Sequence, residues 1–493
     1  MDEFSVQGIN LQGRKITVLG LAREGSAVSR FCAEHGALVT ATDLKGPDEL
    51  GPVLRELEGL PVRYLLGGHP LEVSDCDMMF VSPGVPLDSP ILIQARQMRL
   101  PLGSEARLFS RLCPAPVAGI TGSSGKTTTS TLTARILEAA GMQVHLGGNI
   151  GYPLLSRLSS IRPSDAVVME LSSFQLDFFA DELDAEPAGS LASPLYPPGG
   201  WSPHVAAVLN VTPNHLDRHP TMESYIAAKR KILLYQRPDD VAVLGWDDPV
   251  TKGFRRHCSG SVAFFSVHER VPQGAYLRGD TLVLAQQGRE VDICNRRDLL
   301  LRGTHNVCNV LAACAVAAVM GVQADLMAKV ARTFAGVEHR LELVGEIDGV
   351  RYFNDSIATS PERAIAALAS FDEPVLLLAG GRDKHLPWET WAHLVQRKAT
   401  MVITFGEAAT LVEHALRQLE GATPPVRSAG SLERAVELAH DAARPGQVVL
   451  FSPGGTSFDA YRDYVDRGEA FKTMVGRLRD AHEHSPDEGR NDR

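Results

Sequence analysis

A glycine-rich run that ends in lysine and threonine is the strongest chemical signal in this sequence. The run reads Thr121-Gly122-Ser123-Ser124-Gly125-Lys126-Thr127-Thr128. An apolar stretch precedes it and a helical pattern follows, which disfavours the alternative of a solvated Gly/Ser/Thr loop. Backbone N–H groups of such a loop can surround phosphate oxygens. The lysine neutralises the charge of the β- and γ-phosphates, and the hydroxyl of the threonine that follows it, Thr127, binds Mg²⁺. A standard phosphate loop has glycine where Ile120 stands, so this loop is a variant. It still predicts a nucleoside triphosphate site.

The sequence favours ATP over GTP as that nucleotide. Guanine-selective phosphate-loop proteins use an Asn/Thr-Lys-x-Asp element. Here Thr251-Lys252 is followed by Gly253-Phe254 instead of an aspartate. We therefore expect ATP.

Two further motifs carry groups that suit a metal ion. Glu170 lies near the end of an apolar run, 166–171, at the edge where α/β sheets place their ligands. Its carboxylate could hold Mg²⁺ or cap the next helix. His215 and His219 are four residues apart, the spacing of one helix face, which raises the possibility of zinc. No His-Glu-x-x-His frame accompanies them, so one histidine turned toward Mg²⁺ or phosphate is favoured.

The beginning of the chain has the pattern of a nucleotide-binding β-turn-α-β unit. A predicted strand, 15–19, leads through a glycine turn into a helix, and a second strand ends at Asp43. A dinucleotide fingerprint needs glycine where Ala22 stands. A nicotinamide site therefore stays possible, but a related fold that holds its nucleotide differently is favoured.

The order of apolar runs predicts an α/β protein of three domains. We expect a Rossmann-like domain over residues 1–112, a central phosphate-loop domain with a parallel sheet over 113–335, and a Rossmann-like domain over 336–481. The stretch 181–203 is rich in Pro, Gly and Ser and predicts an exposed excursion. The polar tail 482–493 predicts disorder.

Composition excludes several other classes of protein. The formal net charge of -10 gives no basic footprint for nucleic acid. The seven scattered cysteines have no Cys-x-x-Cys pair, which argues against a disulfide framework. No signal peptide or long apolar span is evident, so we expect a cytoplasmic protein without membrane insertion, acting as a monomer.

The motifs, taken in order, resemble those of the Mur ligase family over nearly the whole chain. Beyond the phosphate loop, the resemblance rests on several further runs. Each run alone is weak support, and their order along the chain makes the set specific. These runs are Gly147-Gly148-Asn149-Ile150-Gly151, Glu170-Leu171-Ser172-Ser173-Phe174-Gln175-Leu176, the stretch from Asn210 to His219, Ala227-Ala228-Lys229, Thr304-His305-Asn306-Val307-Cys308-Asn309, His339-Arg340-Leu341-Glu342, Asn354-Asp355-Ser356, Gly380-Gly381-Arg382-Asp383-Lys384, and Ser452-Pro453 followed by Ser457.

The resemblance implies a role for each of these positions. Catalysis falls to Lys126, Glu170, His215 and Lys229, the last as a carbamate formed with CO₂ that directs magnesium alongside Thr127. ATP is bound by residues 122–128 together with Asn306, Asn309, Arg340 and Asp355. The two asparagines would otherwise suit a helix N-cap, and from its sequence setting Lys229 would otherwise be a helix-surface lysine. The UDP-linked substrate is bound by Arg23, Glu24, Asp43, Asn149, Ser172 and Gln175.

The resemblance places the incoming amino acid on Lys384, Ser457 and Tyr464. Two departures stand here, because the family often has lysine where Ile357 stands and phenylalanine where Tyr464 stands. Thr359 or Arg363 could replace the lost cation.

The activity implied is that of the family members that use ATP and Mg²⁺ to join D-glutamate to UDP-N-acetylmuramoyl-L-alanine, for peptidoglycan, through an acyl phosphate. Closure of the third domain, with a hinge near residues 335–337, would assemble the site. The alternatives are a family member that adds another amino acid or L-glutamate, a folylpolyglutamate ligase without a uridine pocket, and a nucleotide-switched binding protein that hydrolyses ATP.

Overall fold

A computed structural model describes residues 5–6, 9–179, 200–213, 218–301, 303–384 and 386–483. The chain divides into two compact units. The first comprises Met1–Leu299 and Thr304–Phe334, and the second comprises Leu300–Gly303 and Ala335–Arg493. The first unit contains two large sheets and the second contains one. The three predicted sheet regions are therefore present, whereas the domain boundaries at residues 112 and 335 stay predictions.

A short ribbon and a five-stranded parallel sheet begin the first unit. The ribbon pairs β1 (Ser5–Val6) with β2 (Ile9–Asn10) in antiparallel fashion. In chain order, the sheet strands are β3 (Lys15–Leu19), β4 (Leu38–Asp43), β5 (Val62–Leu66), β6 (Met78–Val81) and β7 (Leu102–Gly103). Their order in the sheet is β5-β4-β3-β6-β7. The connecting helices are α1 (Arg23–Glu34), α2 (Pro47–Glu56), α3 (Pro90–Gln97) and α4 (Glu105–Leu112).

Glycine sets the close approach of α1 to this sheet. A Cβ at Gly25 would collide with the carbonyl oxygen of Gly20, and Gly20 itself has a φ of 89°. The helix can therefore begin directly above the end of β3, as the predicted β-turn-α-β unit requires.

The second sheet has nine strands. In chain order, they are β8 (Val117–Thr121), β9 (Val144–Gly148), β10 (Ala166–Glu170), β11 (Val205–Val208), β12 (Val241–Gly245), β13 (Ser261–Ser266), β14 (Gly274–Arg278), β15 (Thr281–Gln286) and β16 (Arg289–Asn295). Their order in the sheet is β16-β15-β14-β13-β12-β11-β8-β10-β9. The helices of this region are α5 (Lys126–Ala139), α6 (Ser173–Leu176), α7 (Met222–Arg230), α8 (Pro249–Gly253), α9 (Thr304–Val319) and α10 (Ala324–Thr333).

The prediction of a parallel central sheet was incomplete. Strands β8 to β14 are parallel to one another, but β15 and β16 are antiparallel additions at one edge. Gln287 and Gly288 join them with φ angles of 52° and 75°, the signature of a two-residue hairpin turn.

Two predicted segments of the central region also differ from the structure. The apolar run 205–211 predicts a single strand, but the strand ends at Val208, because the following residues turn away to support the phosphate loop. Of the predicted exposed excursion, residues 181–199 lie outside the described residues. Its last residues pack inward instead, since Ser202 and Pro203 are buried and Trp201 lies against Phe179.

The second unit contains a six-stranded sheet. Its strands are β17 (Glu342–Ile347), β18 (Val350–Asn354), β19 (Val375–Gly380), β20 (Ala399–Phe405), β21 (Val426–Gly430) and β22 (Val448–Gly454), in the order β17-β18-β22-β19-β20-β21. All neighbours are parallel except β17 and β18. Its helices are α11 (Pro361–Ala369), α12 (Glu389–Lys398), α13 (Ala409–Arg417), α14 (Leu432–Ala442) and α15 (Tyr464–Glu483).

Helix α15 runs through the first two residues of the predicted disordered tail, and residues 484–493 lie outside the described part of the chain. Among the described helices, none combines the length and the apolar character that crossing a membrane requires.

Candidate functional site

The phosphate loop connects the central strand β8 to the N-terminus of α5. Gly125 occupies the N-cap position with a φ of 80°, which glycine adopts without strain. Because a glycine cap has no side chain, the first-turn N–H groups of α5 point toward the position of a bound anion. Lys126 begins the helix, and its Nζ donates to the carbonyl oxygen of Gly122 at 2.9 Å. Thr127 follows it, partly exposed.

The segment after β11 supports this loop from below. Asn210 accepts from the backbone N–H of Ser123 and, through its side chain, from that of Ser124, each at 2.9 Å. The Ser123 hydroxyl donates to the carbonyl of Thr212 at 2.9 Å and lies 3.0 Å from the Tyr225 hydroxyl. Sequence reasoning missed this support, because its partners are almost 90 residues apart in the chain.

The two predicted ATP-side asparagines lie on α9 beside the phosphate loop. A Cβ at Gly125 would collide with the Asn309 side chain, so the asparagine packs directly against the loop. Asn309 in turn donates to the Asn306 side chain at 3.1 Å. Both residues lie inside the helix, which begins at Thr304, so the N-cap alternative was wrong.

Glu170 ends β10, the strand beside β8, and is 1% exposed. Its Oε1 accepts a hydrogen bond of 2.8 Å from the Asn149 side chain. Its Oε2 is buried and has no hydrogen-bond partner among the described residues. A buried carboxylate oxygen without a donor is costly unless a ligand satisfies it. The helix-cap alternative was also wrong, since Ser172 caps α6.

Lys229 is a buried residue of α7, so the alternative of a helix-surface lysine was wrong. It is 1% exposed, and its Nζ donates to the Gly122 carbonyl at 2.9 Å. Its Nζ also lies 4.7 Å from the centre of the Tyr225 ring. Burial, followed by the charge of Lys126, holds the pKa of Lys229 well below its usual value.

The residues around the phosphate loop suit a hard divalent cation. The unpartnered oxygen of Glu170 and the hydroxyl of Thr127 are oxygen donors of the kind that Mg²⁺ prefers. His215 lies outside the described residues. His219 is not on a helix face, since it lies in a turn before α7 with its Nε2 3.0 Å from the Ser173 hydroxyl.

A cavity of about 930 Å³ lies over the carboxyl edge of the first sheet. Four of the six predicted UDP-side residues line it, namely Arg23, Glu24, Asp43 and Asn149. The Asp43 carboxylate is held by the backbone N–H groups of Leu21 at 2.6 Å and Lys45 at 2.9 Å. The cavity is thus shared by residues of the first sheet and by the turn that follows β9.

The other two UDP-side residues, Ser172 and Gln175, lie beside the cavity wall without lining it. Ser172 accepts from the backbone N–H of Gln175 at 3.2 Å, and the Gln175 side chain donates to Glu24 at 2.7 Å. Gln175 thus supports the lining residue Glu24, and Ser172 caps the helix that carries Gln175.

Sequence reasoning missed several residues of this cavity. Lys45, His69 and Ser82 line it, and Ser82 donates to the Gly20 carbonyl at 2.8 Å. The turn after β6, with Pro83 and Gly84, also lines the cavity. Its position beside β3 follows from the strand order of the sheet, which no local pattern contains.

In the second unit, Asp355 is buried at the end of β18. It accepts from the Ser452 hydroxyl at 2.8 Å and from the Leu341 backbone at 3.2 Å. Burial raises its pKa to about 7, against the opposing effects of Ser452 and then of the Arg340 charge. The charge of Arg340 therefore acts on the Asp355 carboxyl group.

Lys384 lies near two residues that were proposed to replace the missing lysine at position 357. Its Nζ is 3.5 Å from the Thr359 hydroxyl, and Arg363 donates to the carbonyl of Ile357 at 3.3 Å. Burial and then the Arg363 charge lower the pKa of Lys384. Two cations held near each other form a site suited to an anion.

Ser457 and Tyr464 have different settings. Ser457 is 1% exposed in the loop after β22. Tyr464 begins α15, and its ring is 6.3 Å from that of His339. Sequence reasoning missed Arg467, which is fully buried. Its guanidinium donates to the carbonyl groups of Ser356, Gly455 and Thr456, the last two of which directly precede Ser457.

A phosphate loop at the carboxyl edge of a parallel sheet, with Rossmann-like sheets before and after it in the chain, defines the class of this molecule. It is a multidomain α/β nucleotide-binding protein.

Comparisons with known proteins identify the family. Residues 120–193 and 194–317 match the Mur ligase middle domain, and residues 339–455 match the Mur ligase glutamate ligase domain. The UDP-N-acetylmuramoylalanine--D-glutamate ligase of Acetivibrio thermocellus is 38% identical over 474 residues, covering 95% of this chain and 97% of that protein. The enzyme of the same name from Symbiobacterium thermophilum is 40% identical, covering 96% and 99%. The chain belongs to the Mur ligase family.

Solved structures agree with this fold. The UDP-N-acetylmuramate-alanine ligase MurC from Thermotoga maritima superposes with a TM-score of 0.56 at 19% identity, covering 95% of this chain and all of that chain. A UDP-N-acetylmuramoyl-L-alanyl-D-glutamate--2,6-diaminopimelate ligase also gives 0.56, at 16% identity, covering 96% and 93%. The three-sheet α/β architecture is therefore that of Mur ligases.

Proposed function

We propose that this protein is an ATP-dependent ligase that joins D-glutamate to UDP-N-acetylmuramoyl-L-alanine in peptidoglycan precursor synthesis. The observation that carries the proposal is the match, over nearly the whole of both chains, to relatives with this activity in their names. The phosphate loop and the cavity of the first sheet support it, because they offer separate places for ATP and for a UDP-linked substrate. Both nucleotide substrates belong to the cytoplasm, where we place the enzyme.

Activation of a carboxylate by ATP brings two anions together, so the site must supply positive charge. Lys126, at the start of α5, neutralises the phosphates and orients the γ-phosphate toward the carboxylate of the L-alanine residue. The carboxylate oxygen attacks the γ-phosphorus and ADP leaves, which gives an acyl phosphate. The N–H groups of α5 hold the phosphate oxygens in place during this transfer.

A magnesium ion, when bound, would neutralise phosphate charge as a Lewis acid. The unpartnered Oε2 of Glu170 and the Thr127 hydroxyl would hold it, and we propose that His215 and a carbamate on Lys229 assist. A carbamate requires a neutral amine to react with CO₂. The lowered pKa of Lys229 supports that requirement.

The second unit would supply the amino acid and the outer groups of the nucleotide. We assign Asp355 to the ribose and Arg340, whose charge acts on Asp355, to the phosphate charge. Lys384 and Arg363 would bind a carboxylate of D-glutamate, with the Ser457 hydroxyl as a further donor.

The amide then forms by substitution at the acyl carbon. The D-glutamate amine attacks this carbon, a tetrahedral intermediate forms, phosphate leaves and the amine gives up a proton. In this scheme the energy of ATP is conserved in the acyl phosphate.

The proposal is tested by measuring phosphate release with ATP and UDP-N-acetylmuramoyl-L-alanine, in the presence of D-glutamate, L-glutamate or another amino acid in turn. We expect release that needs both the UDP-linked substrate and D-glutamate. Release that is indifferent to both would identify an ATP-hydrolysing binding protein instead. Release with L-glutamate or another amino acid alone would assign a different ligase of the family.

A further inference from the structure

The carboxyl ends of three neighbouring strands lie beside the phosphate loop. Strands β12, β11 and β8 are adjacent in the central sheet and parallel to one another. The phosphate loop follows β8, the supporting segment, residues 209–212, follows β11, and Asp248 follows β12. Parallel strands end at the same edge of a sheet, where ligands bind. In this order, the supporting segment separates Asp248 from the phosphate loop.

The two oxygens of the Asp248 carboxylate have different partners. Its Oδ1 caps α8, since it accepts from the backbone N–H groups of Val250 at 2.8 Å and Thr251 at 3.4 Å. Its Oδ2 accepts from the backbone N–H of Val211 at 2.5 Å. Val211 is buried, so without Oδ2 this N–H would lose the acceptor that it has in the fold. A buried donor left without an acceptor is costly.

Val211 lies between the two residues that hold the phosphate loop. Asn210 accepts from the backbone N–H groups of Ser123 and Ser124. The Ser123 hydroxyl accepts from the backbone N–H of Thr212 at 3.0 Å and donates to its carbonyl at 2.9 Å. The bond from Val211 to Asp248 therefore fixes the backbone between both supports of the loop.

Close packing joins the same three segments. A Cβ at Gly245, the last residue of β12, would lie 2.4 Å from the carbonyl oxygen of Leu209. The Thr251 hydroxyl is buried and donates to the Gly245 carbonyl at 2.6 Å. Leu209 in turn contacts the phosphate loop, because a Cβ at Gly122 would lie 2.9 Å from the Leu209 Cβ. A displacement of the supporting segment would therefore be transmitted to the loop.

We propose that Asp248 is a positioning residue for ATP, which acts by holding Val211 and, through it, the supporting segment and the phosphate loop. The inference rests on the proposed function for the identity of the nucleotide. Lys126 and the first-turn N–H groups of α5 bind phosphate oxygens only when the loop presents them at hydrogen-bonding distance. Loss of the bond to Val211 therefore weakens nucleotide binding, although every group assigned to the phosphates is still present.

The test separates the two oxygens of Asp248. In Asp248→Ser the hydroxyl can still cap α8, but it replaces only Oδ1 and leaves Val211 without its acceptor. We expect calorimetry to show ADP binding about tenfold weaker than in the wild type, since a misplacement of about 1 Å can cost up to about 100-fold. The KM for ATP should rise by a similar factor. Binding of UDP-N-acetylmuramoyl-L-alanine should match the wild type, because its proposed cavity lies at the first sheet.

Asp248→Ala removes the cap together with the bond to Val211. It should unfold at a lower temperature than Asp248→Ser and bind ADP equally weakly, because the bond to Val211 alone concerns the loop. Asn295→Ala is the matched control, since the Asn295 side chain caps a 3-10 helix of the central region by accepting from the Arg297 N–H at 2.9 Å. This control should keep the wild-type affinity for ADP, whatever its thermal stability.

Wild-type affinity for ADP in folded Asp248→Ser would overturn the proposal. Equal losses of ADP binding and of UDP-substrate binding would do the same, because the effect would then be general. If neither Asp248 variant folds, hydrogen exchange of the wild type decides. The amides of residues 209–212 should exchange more slowly when ADP is bound, and unchanged exchange would overturn the inference.

Failure of the ligase proposal has a different signature. Phosphate release would then be indifferent to the UDP-linked substrate and to D-glutamate, while ADP binding would still depend on Asp248.

Discussion

Lys126 and Lys229 donate to the same carbonyl oxygen, that of Gly122, each from a distance of 2.9 Å. Two ammonium ions on one acceptor repel each other, so one of them gains by losing its proton. Lys229 is the more buried of the two, and both burial and the Lys126 charge lower its pKa. The lowered pKa of Lys229 favours its neutral amine, which is the form that a reaction with CO₂ requires.

Removal of CO₂ should slow the enzyme if Lys229 works as a carbamate. We expect turnover in rigorously degassed buffer to fall severalfold and to recover on addition of bicarbonate. Steady-state phosphate release measures both. Lys229→Arg keeps a positive charge but cannot form the carbamate, so it should be inactive and insensitive to bicarbonate. An unchanged rate without CO₂ would remove the carbamate from the mechanism.

Lys126→Ala should abolish turnover and leave binding of the UDP-linked substrate intact. We propose that the lysine acts on the phosphates of ATP, and loss of a group that stabilises transition-state charge costs about 100-fold or more in kcat. Phosphate release and calorimetric titration with UDP-N-acetylmuramoyl-L-alanine separate the two properties. Lys329→Ala, at an exposed lysine of α10, is the control and should resemble the wild type. Equal loss of turnover and of substrate binding would contradict separate sites.

Asp355 should make the protein less stable as pH rises from about 4 to about 7. Its folded-state pKa is raised from 3.8 to about 7, so the folded state binds a proton more tightly than the unfolded state does. Its stabilising contribution is present below the unfolded pKa and is lost as pH rises through the folded pKa. The loss is at most about 4 kcal/mol, because one pKa unit corresponds to about 1.4 kcal/mol.

The variant Asp355→Asn tests this linkage. Denaturant unfolding across pH should show a smaller fall in stability for the variant than for the wild type, while its KM for ATP rises. Subtraction of the two curves removes the contributions of the other titratable groups, which both proteins share. Identical pH dependence in both proteins would mean that Asp355 is ionised in the fold.

Arg363→Ala should weaken the binding of D-glutamate. The arginine and Lys384 hold two positive charges near each other, an arrangement that a carboxylate would stabilise. Loss of a charged hydrogen bond costs about 1.5 to 3 kcal/mol, so KM for D-glutamate should rise roughly 10- to 100-fold. The KM for ATP should be nearly constant, and the exposed Arg434→Ala provides the control. A rise confined to the ATP KM would assign Arg363 to the nucleotide.

Local patterns predicted the elements well, and the long-range contacts poorly. The strand β3 lies at its predicted bounds, 15–19, and the helix α5 follows the phosphate loop as the helical pattern after the glycine-rich run predicts. The strand predicted over 205–211 was too long, because a continuous apolar run does not reveal that its last residues leave the sheet to bind the phosphate loop. The hairpin β15–β16 was missed, although Gln287-Gly288 carries a weak turn signal.

The candidate site was predictable in its residue types and unpredictable in its partners. Lys126, Glu170 and Asp43 occur where strand ends predict ligand sites. The bond between Glu24 and Gln175 joins residues 151 positions apart, and no spacing rule connects them. The burial of Lys229 was equally hidden, since its neighbours Arg230 and Lys231 suggest a surface helix.

The outer strand of the central sheet leaves a row of backbone groups open to another chain, the usual beginning of uncontrolled self-association. Strand β16 counters this hazard with charge. Its Glu290 pairs with Arg270 and Arg278, and Asp292 pairs with Arg278. An approaching strand would have to strip water from these ion pairs, so the sheet can grow to nine strands while its free edge discourages aggregation.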